Sequence, residues 1–292
     1  MCRSVITPAE DAYHAGVITP CAPVLPRLHV INALELRLLI GELPAYLAGG
    51  IRLEPGAVII DVGANIGAFS AYAYDQLAGD VTLLAFEPAP ATYAVLDRNA
   101  RELFNGTLTP FPYGLSDRET TAAFTYFPHA TTMSSTVRGS ATIDAERSRI
   151  TRAVIAAIKH GDYGRWAARI PGPVLYAALT LLLRKALRSS TTHQIRLRPL
   201  SATLTEHAIT TVDLLKIDVE GAELDVLRGI SDDHWPGIRQ IVIEVERWDS
   251  CHRQVSALLS AKGFTIRSHR DTLLQAADFG LIHATRTTTV CS

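Results

Sequence analysis

Cysteine is scarce and unpatterned in this chain. The four thiols, Cys2, Cys21, Cys251 and Cys291, show no CxxC spacing and no adjoining set of histidines. Neither a zinc site nor a disulfide framework is expected, and the thiols are read as reduced. Long apolar runs are missing as well: nothing approaches the ~18–20 residues that a membrane-spanning helix requires. Residues 1–30 lack a basic start followed by an apolar core, so a cytoplasmic location is the expectation. Tyrosines and tryptophans do not interleave with basic residues in a stripe that would stack single-stranded nucleic acid. With a formal net charge of −1, nucleic acid is not an expected partner.

What is present is a chain of 292 residues, 48% hydrophobic, long enough to bury a sizeable core. Residues 1–54 read as an N-terminal arm and a leading helix. The arm carries Pro8, Pro20, Pro23 and Pro26. Residues 31–48, "INALELRLLIGELPAYLA", place apolar side chains at helical spacing, with a break expected near Pro44.

From residue 55 to the end, strands and helices alternate. "AVIID", "VTLLAFE", "LTPFPYGLSD", "VDLLKID", "RQIVIEVE", "FTIRSH" and "FGLIHAT" read as strands, "AAFTYF" as a further candidate, and the segments between several of them as helices. That pattern predicts a doubly wound, Rossmann-like α/β domain with a mostly parallel seven-stranded sheet covered on both faces. Residues 138–198 break the alternation. They hold 12 Lys or Arg against Asp144, Glu146 and Asp162, a net charge of +9 beside about −10 for the remainder. The expectation is a basic, helical insertion acting as a lid or a docking element for an anionic partner or a membrane face. Its apolar helix would lie in "PVLYAALTLLLRKALR".

In a doubly wound sheet, ligands bind at the carboxyl ends of the strands. The loop "DVGANIG" sits there: Gly63 and Gly67 permit a tight turn and a close ligand approach, and the helix after them offers unpaired N–H groups. An aspartate, Asp61, precedes the first glycine. It would repel a pyrophosphate and suit a cationic amino-acid moiety. Glu87 ends the second strand, 20 residues beyond Gly67, in position to accept hydrogen bonds from both hydroxyls of a ribose. Together these residues suit a nucleoside without phosphates, with S-adenosylmethionine as the expected ligand. The NAD-dependent oxidoreductase alternative lacks the third glycine of its fingerprint. Further on, Lys216 and Asp218 share a strand face with Leu214. Buried charges are costly unless partnered, so the two are expected to pair with each other or with the ligand.

These segments, "IIDVGANIGAFS", "AFEPAPATYAVLDRNA", "GLSD", "MSST" and "LLKIDVEGAELDVLRGI", resemble the FkbM-type S-adenosylmethionine-dependent methyltransferases over residues 55–137 and 200–246. The resemblance implies a class I methyltransferase fold and methylation of a hydroxyl on a small or carrier-bound metabolite such as a sugar, polyketide or peptide natural product. It further implies that Asp61, Gly63, Asn65 and Gly67 line the methionine part, Glu87 the ribose, and Ser116 with Asp117 the adenine. Where the family carries a short link before the "KIDVEGAE" strand, this chain inserts the basic segment.

For the chemistry, Asp218 is expected as cofactor contact or general base, with Lys216, Glu220 and Glu244 as the other candidate catalytic groups. The same carboxylates could hold a divalent cation, and a purely structural alternative pairs Glu244 with Lys216. His129, in "YFPHATT", is a further candidate at the rim, more simply read as a solvated loop residue. A non-catalytic cofactor-binding module is the remaining alternative.

Overall fold

The structure is a computed structural model that describes residues 23–128, 131, 134, 151, 155, 169–187, 190–270 and 278–286, without the side chains of 33–35, 37, 38 and 183–187. The sheet forms from β1 (Ala57–Val62), β2 (Val81–Phe86), β3 (Leu108–Phe111), β7 (Leu214–Ile217), β8 (Gln240–Glu246), β9 (Thr265–His269) and β10 (Phe279–Thr285). Its order is β3-β2-β1-β7-β8-β10-β9. Only β10 runs antiparallel to its neighbours, β8 and β9. The chain order reverses direction between β1 and β7, which places the switch point, and so the ligand crevice, at the carboxyl ends of those two strands.

Apolar residues fill both faces of the central strands, as a sheet covered by helices requires. On one face Ile60, Val62, Leu84, Leu215, Ile217, Ile241 and Ile243 form a single core. It is covered by α5 (Leu200–Glu206), α6 (Glu223–Arg228) and α7 (Trp248–Ala261). The opposite face offers Ile59, Leu83, Ala85, Leu214 and Val242 to α1 (Ala33–Tyr46), α2 (Ala68–Gln76) and α3 (Pro90–Leu103). The side-chain period of two therefore fixes the placement of the charged residues. Asp61 follows Ile59, Lys216 follows Leu214 and Glu244 follows Val242, so all three fall on the face beneath α1 and α2. Register sets Asp61 opposite Lys216 and Lys216 opposite Val242.

Helix α1 does not break at Pro44; it continues to Tyr46. Proline removes only the bond to Ile40, and Leu47 and Ala48 close the last turn with shorter-range bonds to Pro44 and Ala45. Two further residues of helix are thereby gained, and the second of them enters the cavity described below.

A three-stranded sheet, β4 (Gly114–Leu115), β6 (Thr191–Arg198) and β5 (Thr120–Tyr126), stands beside the main one. Its middle strand lies inside the segment read as a helical insertion. Residues 191–198 alternate, with Ile195 buried between exposed Gln194 and Arg196, and alternation is the strand period. Two basic residues of that segment are neutralised within the small sheet's surroundings, Arg196 by Glu119 at 2.5 Å and Arg198 by Glu206. Of the expected helix, α4 (Gly172–Leu187) is described. Among the described residues, no helix is long and apolar enough to cross a membrane.

Gly63 occupies a left-handed conformation, φ +74°, and a Cβ there would lie 1.8 Å from the Asp218 carbonyl oxygen. Gly106 has a similar φ of +81° with nothing within 4 Å. Gly106→Ala is therefore expected to cost about 1 kcal/mol from backbone strain alone, and Gly63→Ala at least about 2 kcal/mol more, because the β1 and β7 loops must separate. Denaturant unfolding of both variants checks the difference.

Candidate active site

One open cavity of about 1200 Å³, its mouth included, lies at the carboxyl ends of β1, β2 and β7. Its floor is the loop from Gly63 to Asn65 together with Asp218, Val219 and Glu220. The far wall comes from the small sheet through Phe124, Ile195 and Leu197, and the near wall from α1 through Leu39, Glu42, Leu43 and Tyr46.

The loop after β1 is held from both sides. Gly63 and Ala64 donate backbone hydrogen bonds to the Phe86 carbonyl, at 3.1 and 3.0 Å, so β1 and β2 end at the same level. Gly67, φ +90°, caps the start of α2. Asn65 bends through φ 51°, donates from its side chain to Thr131 Oγ1 at 3.1 Å and donates its backbone N–H to Glu87 Oε2 at 3.0 Å. The Ala89 N–H donates to the other oxygen, Glu87 Oε1, at 2.8 Å. Glu87 is thus buried, held by two N–H groups, and lines the cavity. Burial pushes its carboxyl up to about 7, against the downward pull of those two hydrogen bonds and of Lys216.

Asp61 is placed differently from the expectation. The strand parity that puts it on the α2 face leaves it with no exposure, and it does not line the cavity. Ser70 donates to its Oδ2 at 2.7 Å, and Lys216 Nζ lies 3.1 Å from its Oδ1. Its carboxylate is turned toward Lys216 and away from the cavity. That ammonium also donates to the Gly63 carbonyl at 3.1 Å, pairs with Asp218 Oδ2 at 3.4 Å, and stands over the rings of Tyr46 and Phe69 at 5.5 and 5.8 Å. Burial alone would lower its pKa, but Asp61 and Asp218 outweigh it and hold the ammonium at about 12.

Glu244 does not pair with Lys216 as the structural alternative had it. Its Oε2 accepts from the Tyr46 hydroxyl at 2.6 Å, and Asp218 Oδ2 lies 3.1 Å from the same hydroxyl. Burial, and then the carboxylates of Asp218 and Glu42, hold Glu244 well above the usual carboxylate range. Tyr46, 5% exposed, was not singled out in the sequence. It belongs to an apolar-periodic helix, and only its place at the helix end, one turn beyond Glu42, hints at a polar corner.

Ser116 lines the cavity beside Gly114 and Leu115; Asp117 does not, and pairs instead with Arg118 at 2.9 Å. Glu220, in a left-handed conformation with φ 56°, lines the floor. Among the described residues no group of three or more His, Cys, Asp and Glu is arranged to hold a metal ion. Of the acids named for a divalent cation, Asp218 flanks the Lys216 ammonium and Glu244 accepts from Tyr46. His129 lies outside the described residues.

With that geometry in place, comparison with known proteins is decisive. The family described as the Methyltransferase FkbM domain matches residues 61–266. The chain belongs to the FkbM methyltransferase family. It is similar to the 31-O-demethyl-FK506 methyltransferase FkbM of Streptomyces tacrolimicus, at 34% identity over 88% of this chain and 92% of the relative. Methyltransferase sdnD of Sordaria araneosa matches at 34% over 80% of this chain and 83% of its own length. A third relative, the AMB antimetabolite synthetase AmbE of Pseudomonas aeruginosa, is 32% identical over 94% of this chain, which spans 13% of that much longer protein. The chain is a methyltransferase built on a mostly parallel seven-stranded α/β sheet. Helix α1, and with it Tyr46, lies ahead of the family match.

Two buried acids give this methyltransferase a defined pH signature. Glu87 and Glu223 both rise from 4.5 to about 7, chiefly by burial. Between about pH 4.5 and 7 the folded chain keeps these protons while the unfolded chain has lost them. The contribution of these two acids to the unfolding free energy therefore falls as pH rises through that window and levels off above about 7. Each acid contributes on the order of 2–3 kcal/mol to the fall. Urea unfolding at stepped pH should show Glu87→Gln and Glu223→Gln each flattening the slope.

Proposed function

We propose that the chain is an S-adenosylmethionine-dependent O-methyltransferase acting on a hydroxyl of a small or carrier-bound metabolite. The observation that carries this reading is the charge of the cavity. Glu42, Glu87, Asp218, Glu220 and Asp225 line it with Lys216 as the cation among them, around a glycine loop that lets a ligand approach the backbone. Such a lining opposes a pyrophosphate and suits a ligand bearing a sulfonium and an ammonium. That weighs against the NAD reading.

The residues present fit the cofactor. Glu87, fixed by two backbone N–H groups, keeps further lone pairs for a ribose diol. The Gly63 to Gly67 loop with Asn65 would border the methionine part, and Ser116 with Leu115 the adenine. Asp218, steadied by Lys216, would face the cationic part of the ligand from the floor. When bound, S-adenosylmethionine supplies an electrophilic methyl group on a sulfonium. Asp61 acts here through Lys216, as a positioning residue. The protein's remaining tasks are to align an acceptor oxygen and take its proton. The carboxylates at the Tyr46 corner, Asp218 and Glu244, are suited to the proton, which favours a hydroxyl acceptor; the 31-O-demethyl-FK506 acceptor in one relative's name supports the same reading.

The similarity to part of an antimetabolite synthetase supports a metabolite as the acceptor. An anionic portion of such an acceptor suits the basic segment of residues 138–198 and not the acidic cavity. Deleting the negative charge of Glu87 tests the cofactor assignment. In calorimetric titration, S-adenosylhomocysteine should bind and NAD should not, and Glu87→Gln should weaken S-adenosylhomocysteine at least about tenfold. Binding of NAD alone would overturn the reading.

A further inference from the structure

We propose that Tyr46 is a catalytic residue of this methyltransferase, the cavity-facing link through which an acceptor hydroxyl delivers its proton to Glu244. The proposal rests on the methyl-donor reading above. It goes beyond it by assigning the proton path to a residue of α1, outside the family match of residues 61–266.

Three observations carry it. Glu244 does not line the cavity, whereas Tyr46 does, so a proton from the cavity reaches Glu244 by way of the Tyr46 oxygen. The bond between them is short, 2.6 Å, against 3.1 Å to Asp218 Oδ2; the shorter contact is the better path for a proton. Finally, Asp218 is engaged by Lys216, and on the proposed reading it also faces the cofactor's cationic part. Its charge is thus committed to cations, and Glu244 is the acid left to act as base. Burial and the neighbouring carboxylates raise Glu244's proton affinity, as a base requires.

Tyr46 donates its one proton to Glu244, and its oxygen keeps lone pairs that accept from an acceptor hydroxyl. On transfer, the acceptor oxygen forms a bond to the methyl carbon as the carbon–sulfur bond breaks, and the sulfonium becomes a neutral thioether. The hydroxyl proton moves to the Tyr46 oxygen while the Tyr46 proton moves to Glu244 Oε2. Tyr46 ends as it began, and the proton leaves from Glu244 after release. The charged groups that act on this pair come from every element around it: Glu42 on α1, Lys216 on β7, and Asp218 just beyond β7.

The test uses the full chain and water as the hydroxyl acceptor, so that the natural acceptor is not needed. Methyl-tritiated S-adenosylmethionine is incubated with wild type, Tyr46→Phe and Glu244→Gln across pH 6–9, and volatile labelled methanol is collected. Affinity for S-adenosylhomocysteine is measured in parallel. Tyr46→Phe keeps the ring that packs edge-on against Phe69 at 5.6 Å, so folding is expected to persist. The expected result is methanol release by wild type above that of cofactor alone, with an inflection well above the usual carboxylate range. Both variants should lose about 10²-fold in rate, and the inflection with it, while S-adenosylhomocysteine affinity stays within about threefold. Full rate or an unchanged pH profile in Tyr46→Phe overturns the relay. So does a wild type that binds S-adenosylhomocysteine yet releases no methanol above background. A wild type that does not bind S-adenosylhomocysteine overturns the methyl-donor reading instead.

Discussion

The ammonium of Lys216, out of water between Asp61 and Asp218 and donating to the Gly63 carbonyl, is the constraint on which the rest of the site depends. A buried cation needs its partners, and each partner here fixes a different element around the ligand crevice. Asp61 ties β1 to α2 through Ser70. Gly63 begins the glycine loop. Asp218 begins the acidic floor. Removing the lysine would leave a buried carboxylate uncompensated and release the β1 loop from β7 at once, which is why a charge is retained where the sheet is otherwise aliphatic.

Above this row lies α1, and its role explains what the sequence concealed. The strands, their order at the switch point and the glycine loop were legible, because apolar runs ending in Asp61, Glu87 and Asp218 carry a local signal. The family was legible for the same reason. Tyr46 was not. Its importance comes from a contact with Glu244, 198 residues away in sequence, and from a helix that outlasts its proline by two residues. The inward turn of Asp61 could have been read from parity with Ile59, since both fall on the α2 face. Attention to the ligand, and not to the helix beneath it, aimed that carboxylate at the cavity. Strand β6 was missed in a similar way: the net charge of its surroundings drew more notice than its alternation.

The molecule also separates its charges by place. Acids gather in the cavity, where a sulfonium and an ammonium would be held, and the net positive charge falls in the segment that ends in β6. That strand supplies Ile195 and Leu197 to the cavity wall, while its Arg196 and Arg198 are answered by Glu119 and Glu206. One strand thus joins the cavity wall to the segment that is basic in sequence.

The most direct test of the central claim is a crystal structure of the chain grown with S-adenosylhomocysteine. The account predicts the ribose hydroxyls on the Glu87 carboxylate, the ammonium of the ligand beside Asp218, and an unaltered pair between Asp61 and Lys216 beneath it. A ligand that leaves Glu87 without a contact, or that draws Asp61 away from Lys216 to meet it, would contradict it.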